Sequence, residues 1–278
     1  MEYRTGTDAM TTQQPQSDAP TAGTPPQGAY AQVNGLDMYY ETYGAGHPLV
    51  LLHGGVLTIG LTFGAMIPTL AATRRVIAVE LQGHGHTADT DREMSVPAFA
   101  EDVVALLDVL GVERADLFGF SLGGLTALEM AVHHPERVDR VVLAATHFRR
   151  DGYLPEIRDP ALQAGSKRLP TPADFQEMAD AYAAVAPHPE HFHDFLAKTS
   201  AAADFEGWSE DDLRGLAAPA LLVCGDTDFV RIEHAARMHD LIPDARLAIL
   251  PDCTHMDVMR RTELVLPMAE SFLARRES

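Results

Sequence analysis

Gly119-Phe120-Ser121-Leu122-Gly123 forms a G-x-S-x-G segment between the apolar run Leu117–Phe120 and a helical pattern that opens at Leu122. A serine on such a strand-to-helix turn is held in a strained backbone with its Oγ in the open. The flanking glycines let the chain crowd there without a Cβ clash. The helix that follows aims free N–H groups and its positive dipole end at any developing anion. A nucleophilic hydroxyl beside an anion cradle is chemistry for acyl transfer. The same residues in another setting would be an ordinary glycine-rich βα turn; this placement favours the chemical reading.

A hydroxyl is a poor nucleophile until a base takes its proton, so an imidazole and an orienting carboxylate are needed. The expected chain order is serine, then an acid, then histidine. His255 lies just past the last apolar run, in Leu250-Pro251-Asp252-Cys253-Thr254-His255-Met256. Upstream, the run Ala220–Cys224 leads into Gly225-Asp226-Thr227-Asp228. An acid past one strand and a histidine past the next can meet at the carboxyl edge of a parallel sheet. Among the thirteen histidines, only His255 combines that position with that order. Spacing alone admits either Asp226 or Asp228. For the anion cradle, Leu49–Leu52 runs into His53-Gly54-Gly55-Val56, where small residues expose backbone N–H groups. Gly55 and Leu122 N–H are the natural oxyanion donors, a contribution of about 3–4 kcal/mol in comparable sites. Read by itself, His53-Gly54-Gly55 is equally a tight βα loop.

The elements that must position these groups are readable. Six short apolar runs, Leu49–Leu52, Val76–Val79, Leu117–Phe120, Val141–Ala144, Ala220–Cys224 and Leu247–Leu250, lack alternation and suit strands buried on both faces of a parallel sheet. Ahead of them, Ala29–Val33 and Leu36–Tyr43 flank Asn34-Gly35, a type I′ hairpin signal. Ser95 caps a helix whose Phe99, Val103, Leu106, Leu107 and Leu110 share a face up to Gly111. A second helix runs from Leu122 to about His134, stopped by Pro135. The fold class is α/β: a mostly parallel, doubly wound sheet entered through an antiparallel hairpin. Between His147 and Leu216 the rhythm breaks into prolines and Ala-rich helical pieces. The expected organisation is therefore a core of residues 29–147 and 213–278 with a helical lid at 148–212. Residues 1–28, rich in Thr, Gln, Pro and Ser, cannot offset their conformational entropy and read as a disordered tail.

Length and charge bound the rest. The chain has 278 residues, and 21 Lys plus Arg stand against 40 Asp plus Glu, a net charge of −19. Such a field repels nucleic acid and anionic lipid surfaces, so neither is an expected partner. No stretch is apolar enough to cross a bilayer and no signal-peptide core follows the N-terminus; a cytoplasmic protein is expected. Two cysteines, Cys224 and Cys253, cannot build a disulfide framework and read as reduced, half-buried thiols. The tract His188, His191 and His193 could bind metal, yet Pro187-His188-Pro189-Glu190 reads as an exposed helix start, and no metal site is assigned.

Together these motifs resemble the α/β-hydrolase superfamily, in its lid-bearing serine esterase, lactonase and C–C hydrolase branch. The resemblance covers about Ala29 to the C-terminus. It is carried by His53-Gly54-Gly55, Gly83-His84-Gly85-His86-Thr87, the serine turn through Gly124, Gly225-Asp226-Thr227-Asp228, and Pro251 to His255. It implies that the acid is Asp228, the second carboxylate of its segment, with Asp226 capping the loop. Departures are Glu80 where relatives commonly carry Asp, Gln82 where Arg is frequent, Thr254 in place of a glycine, and no proline in Phe229-Val230-Arg231. The implied activity is hydrolysis of a carboxylic ester or lactone by Ser121, Asp228 and His255 without a cofactor. The substrate would be medium-sized and largely apolar, macrocyclic lactones included. C–C bond hydrolysis of the meta-cleavage type and a non-catalytic small-molecule receptor are the alternatives; epoxide and haloalkane hydrolysis would need Asp at the position of Ser121. Candidate substrate contacts are Val56, Phe120 and Met256 beside the chemistry, His147 and Phe148 where the lid departs, and Met178 and Trp208 within it. Each could instead only pack the core.

Overall fold

A computed structural model describes residues 27–157, 159–203 and 205–274. Strands β1 (Gln27–Val33) and β2 (Leu36–Tyr43) form the expected hairpin, with Asn34 and Gly35 both at positive φ, 47° and 83°. The chain continues through β3 (His47–Leu52), α1 (Ile59–Phe63), α2 (Ile67–Leu70), β4 (Arg74–Val79), α3 (Val96–Val109), β5 (Ala115–Phe120), α4 (Leu122–His133) and β6 (Val138–Ala144). Helices α5 (Pro160–Gln163), α6 (Pro172–Val185), α7 (Phe192–Ala203) and α8 (Glu210–Arg214) then precede β7 (Ala220–Gly225). The chain closes with α9 (Ile232–Leu241), β8 (Ala245–Leu250), α10 (Asp257–Arg260) and α11 (Thr262–Leu273).

The eight strands form one sheet in the order β1-β2-β4-β3-β5-β6-β7-β8. The pairs β1/β2 and β2/β4 are antiparallel, and every later pair is parallel. All six apolar runs lie in strands. Alternate residues of each central strand serve opposite faces. Val50, Leu52, Leu117, Val141 and Leu143 pack with α3 and α4, whereas Leu49, Leu51, Phe118 and Val142 pack with α1, α2 and α11. Such two-sided coverage is what non-alternating runs demand. Strand β8 is only half-buried over most of its length because it is the sheet edge.

Two boundaries differ from expectation. Strand β1 begins at Gln27, inside the segment read as disordered, because ladder pairing of Gln27 with Thr42 and Gly28 with Glu41 uses main-chain groups and needs no apolar side chain; the rest of that tail lies outside the described residues. The helical excursion rejoins the core earlier than residue 212. Arg149 bridges Gly207, and Trp208 N–H donates to Phe148 O at 2.9 Å. Helix α8 straddles the expected border, with Leu213 fully buried in the core. No helix among the described residues is long and apolar enough to cross a membrane.

Candidate active site

Strand order reverses around β3, which lies between β4 and β5, so the loops leaving the carboxyl ends of β3 and β5 diverge there and leave a crevice. Ser121 follows β5 and caps α4 at φ 51°, ψ −115°, a strained conformation for a residue with a side chain. Its N–H donates to Ala144 O of β6 at 2.9 Å. The turn is this tight because two glycines permit it. A Cβ on Gly119 would lie 2.2 Å from Gly123 O, and one on Gly123 would lie 2.0 Å from Leu52 O.

His255 Nε2 stands 3.0 Å from Ser121 Oγ, and His255 Nδ1 stands 2.8 Å from Asp228 Oδ1. Read as a network, Nδ1–H donates to the carboxylate and Nε2 accepts from the serine hydroxyl. Asp228 is 1% exposed; its Oδ1 also accepts the Val230 N–H at 3.1 Å. Asp226 is differently employed. Its Oδ1 accepts from Cys253 N–H and Thr227 Oγ1, and main-chain N–H donors of Asp252 and Cys253 hold its carboxyl below the usual range. The structure therefore brings Ser121, His255 and Asp228 together and leaves Asp226 as a loop cap.

The imidazole is clamped by rings. Phe229 stacks on His255 with centroids 3.8 Å apart at 23°, and Phe120 lies 5.0 Å away at 37°. The acid loop is tied to the helical excursion by Leu154 N–H to Phe229 O, by Arg231 N–H to Gly152 O, both at 2.8 Å, and by Arg168 Nη1 to Asp228 O at 2.6 Å.

Gly55 and Leu122 face each other: a Cβ on Gly55 would meet the Leu122 side chain at 3.7 Å and Thr199 Cγ2 of α7 at 3.4 Å. Leu122 opens α4, so its N–H has no carbonyl one turn back. Val56 turns the chain at φ 63°. His53 staples this loop to the strand beside it: Nδ1 donates to Gly54 O at 2.8 Å and Nε2 accepts Leu81 N–H at 3.1 Å. Burial pushes its pKa down to about 4, so it is a neutral brace and no base. Glu80 is buried, its pKa raised by desolvation, and accepts from His86 main chain at 2.6 Å and ring at 2.8 Å, holding the Gly83–Thr87 loop. Gln82 accepts from the guanidinium of Arg92, which also pairs with buried Asp102.

Of the candidate contacts, Phe120 touches His255 directly, half-buried Met256 follows it in sequence, and Met178 of α6 joins the core cluster to which Phe120 belongs. His147 packs on Tyr153, itself against Phe229. Phe148 and Trp208 belong to the framework. Phe148 stacks on His234 of α9 at 4.4 Å, and Trp208 Nε1–H donates to buried Glu129 of α4 at 2.7 Å. Thr199, Phe229 and Arg168 carry no motif that marks them. Only Phe229, adjacent to the acid, had a position from which it could be found. Cys224 and Cys253 are buried free thiols, pushed up to about 12 by burial.

A family model for the alpha/beta hydrolase fold matches residues 47–205. The chain is 30% identical over 260 residues to a pimeloyl-[acyl-carrier protein] methyl ester esterase of Aeromonas hydrophila, covering 86% of this chain and 100% of that protein. It is 29% identical over 258 residues to a 2-hydroxymuconate semialdehyde hydrolase of Pseudomonas putida, covering 83% and 88%. A solved structure described as an N-acyl homoserine lactone degrading enzyme superposes with a TM-score of 0.72 at 26% identity, covering 88% of this chain and all of that one.

Proposed function

The chain belongs to the α/β-hydrolase family, and from that premise we propose that it is a serine hydrolase cleaving a carboxylic ester or lactone through an acyl-enzyme intermediate. The observation that carries the proposal is the relay from Ser121 Oγ through His255 to Asp228, at 3.0 and 2.8 Å. Ser121 attacks the carbonyl carbon while its proton passes to His255 Nε2. Asp228 fixes the tautomer and stabilises the imidazolium that forms. Gly55 and Leu122 N–H hold the oxyanion. His255 then protonates the leaving alcohol, and a water deprotonated by the same nitrogen releases the acid. Every step draws on groups of this chain.

Helices α6 and α7 act as the lid, a role supported by Thr199 standing over Gly55. The apolar flanks Val56, Phe120, Met178 and Met256 and the net charge of −19 suit a medium-sized, largely apolar substrate, macrocyclic lactones among them. The test is turnover of short p-nitrophenyl esters and apolar lactones by the native chain beside Ser121→Ala. The variant should lose about 10⁴–10⁶ in kcat. Equal turnover by both would overturn the serine mechanism and leave a receptor role on the same fold.

The identity to a 2-hydroxymuconate semialdehyde hydrolase supports a second reading, C–C bond hydrolysis of a dienoic diketone by the same residues. Loss of the dienolate chromophore, with esters turned over only slowly, would select it.

A further inference from the structure

The turn between α6 and α7 carries His188-Pro189-Glu190-His191-Phe192-His193. Pro189, Glu190 and His191 form a single 3₁₀ turn, with the proline fixing the backbone between two imidazoles. Glu190 Oε1 stands 3.4 Å from His188 Nδ1 and 3.8 Å from His191 Nε2. The three ligand atoms all lie within 4.8 Å of one another, and the residues are exposed. The two rings stack with centroids 5.2 Å apart. The nitrogen–oxygen gaps exceed ordinary hydrogen-bond lengths. They approach the roughly 3.3 Å edge of a tetrahedron built on metal–ligand bonds of about 2.0 Å.

We propose that His188, Glu190 and His191 form a binding site for a divalent transition-metal cation of the zinc, cobalt or nickel class. Two imidazole nitrogens and one carboxylate oxygen are a donor set for these ions and a poor one for magnesium or calcium. Both histidines also line, with Asp89 and Asp194, a cleft of about 140 Å³ between this turn and residues 87–89. Asp89 itself is already engaged by Lys198 at 2.7 Å. A second His-and-carboxylate cluster, His47 with Asp116 and Asp139, is a worse host. Arg74 and Arg114 already sit 2.6 and 2.9 Å from its carboxylates, and their charge opposes a cation. A bound ion would tie the end of α6 to the start of α7.

The test titrates the full chain, carrying no affinity tag, with Co²⁺ followed by visible absorption and with Zn²⁺ followed by calorimetry. One cation per chain should bind in the micromolar range, with the absorption of a nitrogen- and oxygen-ligated Co²⁺ centre. The exposed double variant His188→Gln/His191→Gln should bind at least about tenfold more weakly, while His193→Gln should bind like the native chain. No micromolar uptake by the native chain would overturn the proposal. So would equal affinity in the double variant, because the ion would then sit on other histidines. Ser121→Ala should bind metal unchanged, so this result and the outcome of the hydrolase test are independent.

Discussion

Arg168 Nη1 donates to the main-chain carbonyl of Asp228 at 2.6 Å, joining the helical excursion to the loop that carries the acid across 60 residues of sequence. Glu156 Oε1, 3.7 Å from Arg168 Nε, keeps the guanidinium in place. The Arg168 side chain is about a third exposed, so its charge is screened and its effect is positional. Arg168→Met should lower kcat by about tenfold to a hundredfold with KM little changed, since the orientation of the base is lost and substrate contacts are not. Arg168→Lys should recover part of the rate, and added guanidinium should partly restore Arg168→Ala. An unaltered kcat in Arg168→Met would uncouple the excursion from the chemistry.

The two carboxylates of the acid loop should separate cleanly. Asp228→Asn keeps the shape but no longer favours the imidazole tautomer that accepts the serine proton, and kcat should fall by about 10⁴. Asp226→Asn weakens the cap over Thr227 and Cys253 and should lower the thermal midpoint while kcat stays within a few-fold. Steady-state ester kinetics beside a melting curve reads both; a dead Asp226→Asn with a live Asp228→Asn would reverse the assignment.

Phe229 fixes the plane of the His255 imidazole by stacking 3.8 Å away. An aromatic pair of this kind contributes roughly 0.5–1.5 kcal/mol beyond area burial. Phe229→Leu, which keeps most of the apolar volume, should therefore cost about two- to tenfold in kcat. Phe229→Tyr, which keeps the ring, should cost less. If the two variants lose rate equally, the ring is packing and not positioning.

The site was legible where chemistry sits just beyond a strand end. Ser121, Asp228 and His255 each follow an apolar run, and parallel strands bring such ends to one rim. The hairpin was legible because Asn34 and Gly35 are the residue types that tolerate positive φ. What could not be read depends on how the strandless excursion packs. Thr199 meets Gly55, and Arg168 meets Asp228, only after α6 and α7 settle on the sheet. Trp208 packs in the framework and not at the substrate side because a buried indole N–H requires an acceptor, and Glu129 of α4, 79 residues earlier in the sequence, provides it. An apolar run also reads alike at the centre and the edge of a sheet, so the half-burial of β8 had no signature.

His53, His84 and His234 are buried in neutral form, and this sets how the fold responds to acid. Burial pushes His53 and His234 down to about 4 and His84 well below its ordinary value. The geometry agrees, since His53 Nε2 accepts Leu81 N–H and His234 Nε2 accepts Phe148 N–H at 3.2 Å, roles open only to an unprotonated nitrogen. Below about pH 6.5 the unfolded chain binds protons that the folded chain refuses until about pH 4. Protons bound in the unfolded state outnumber those in the folded state, so stability rises with pH across that window. It is fully present above about 6.5 and is lost on the way down to 4. For His53 and His234 a depression of this size corresponds to roughly 3 kcal/mol each. His234→Gln keeps an acceptor for Phe148 N–H but cannot titrate. Its urea midpoint should therefore fall less than that of the native chain between about pH 7.5 and pH 5. Parallel losses in the two proteins would show that His234 carries none of the acid sensitivity.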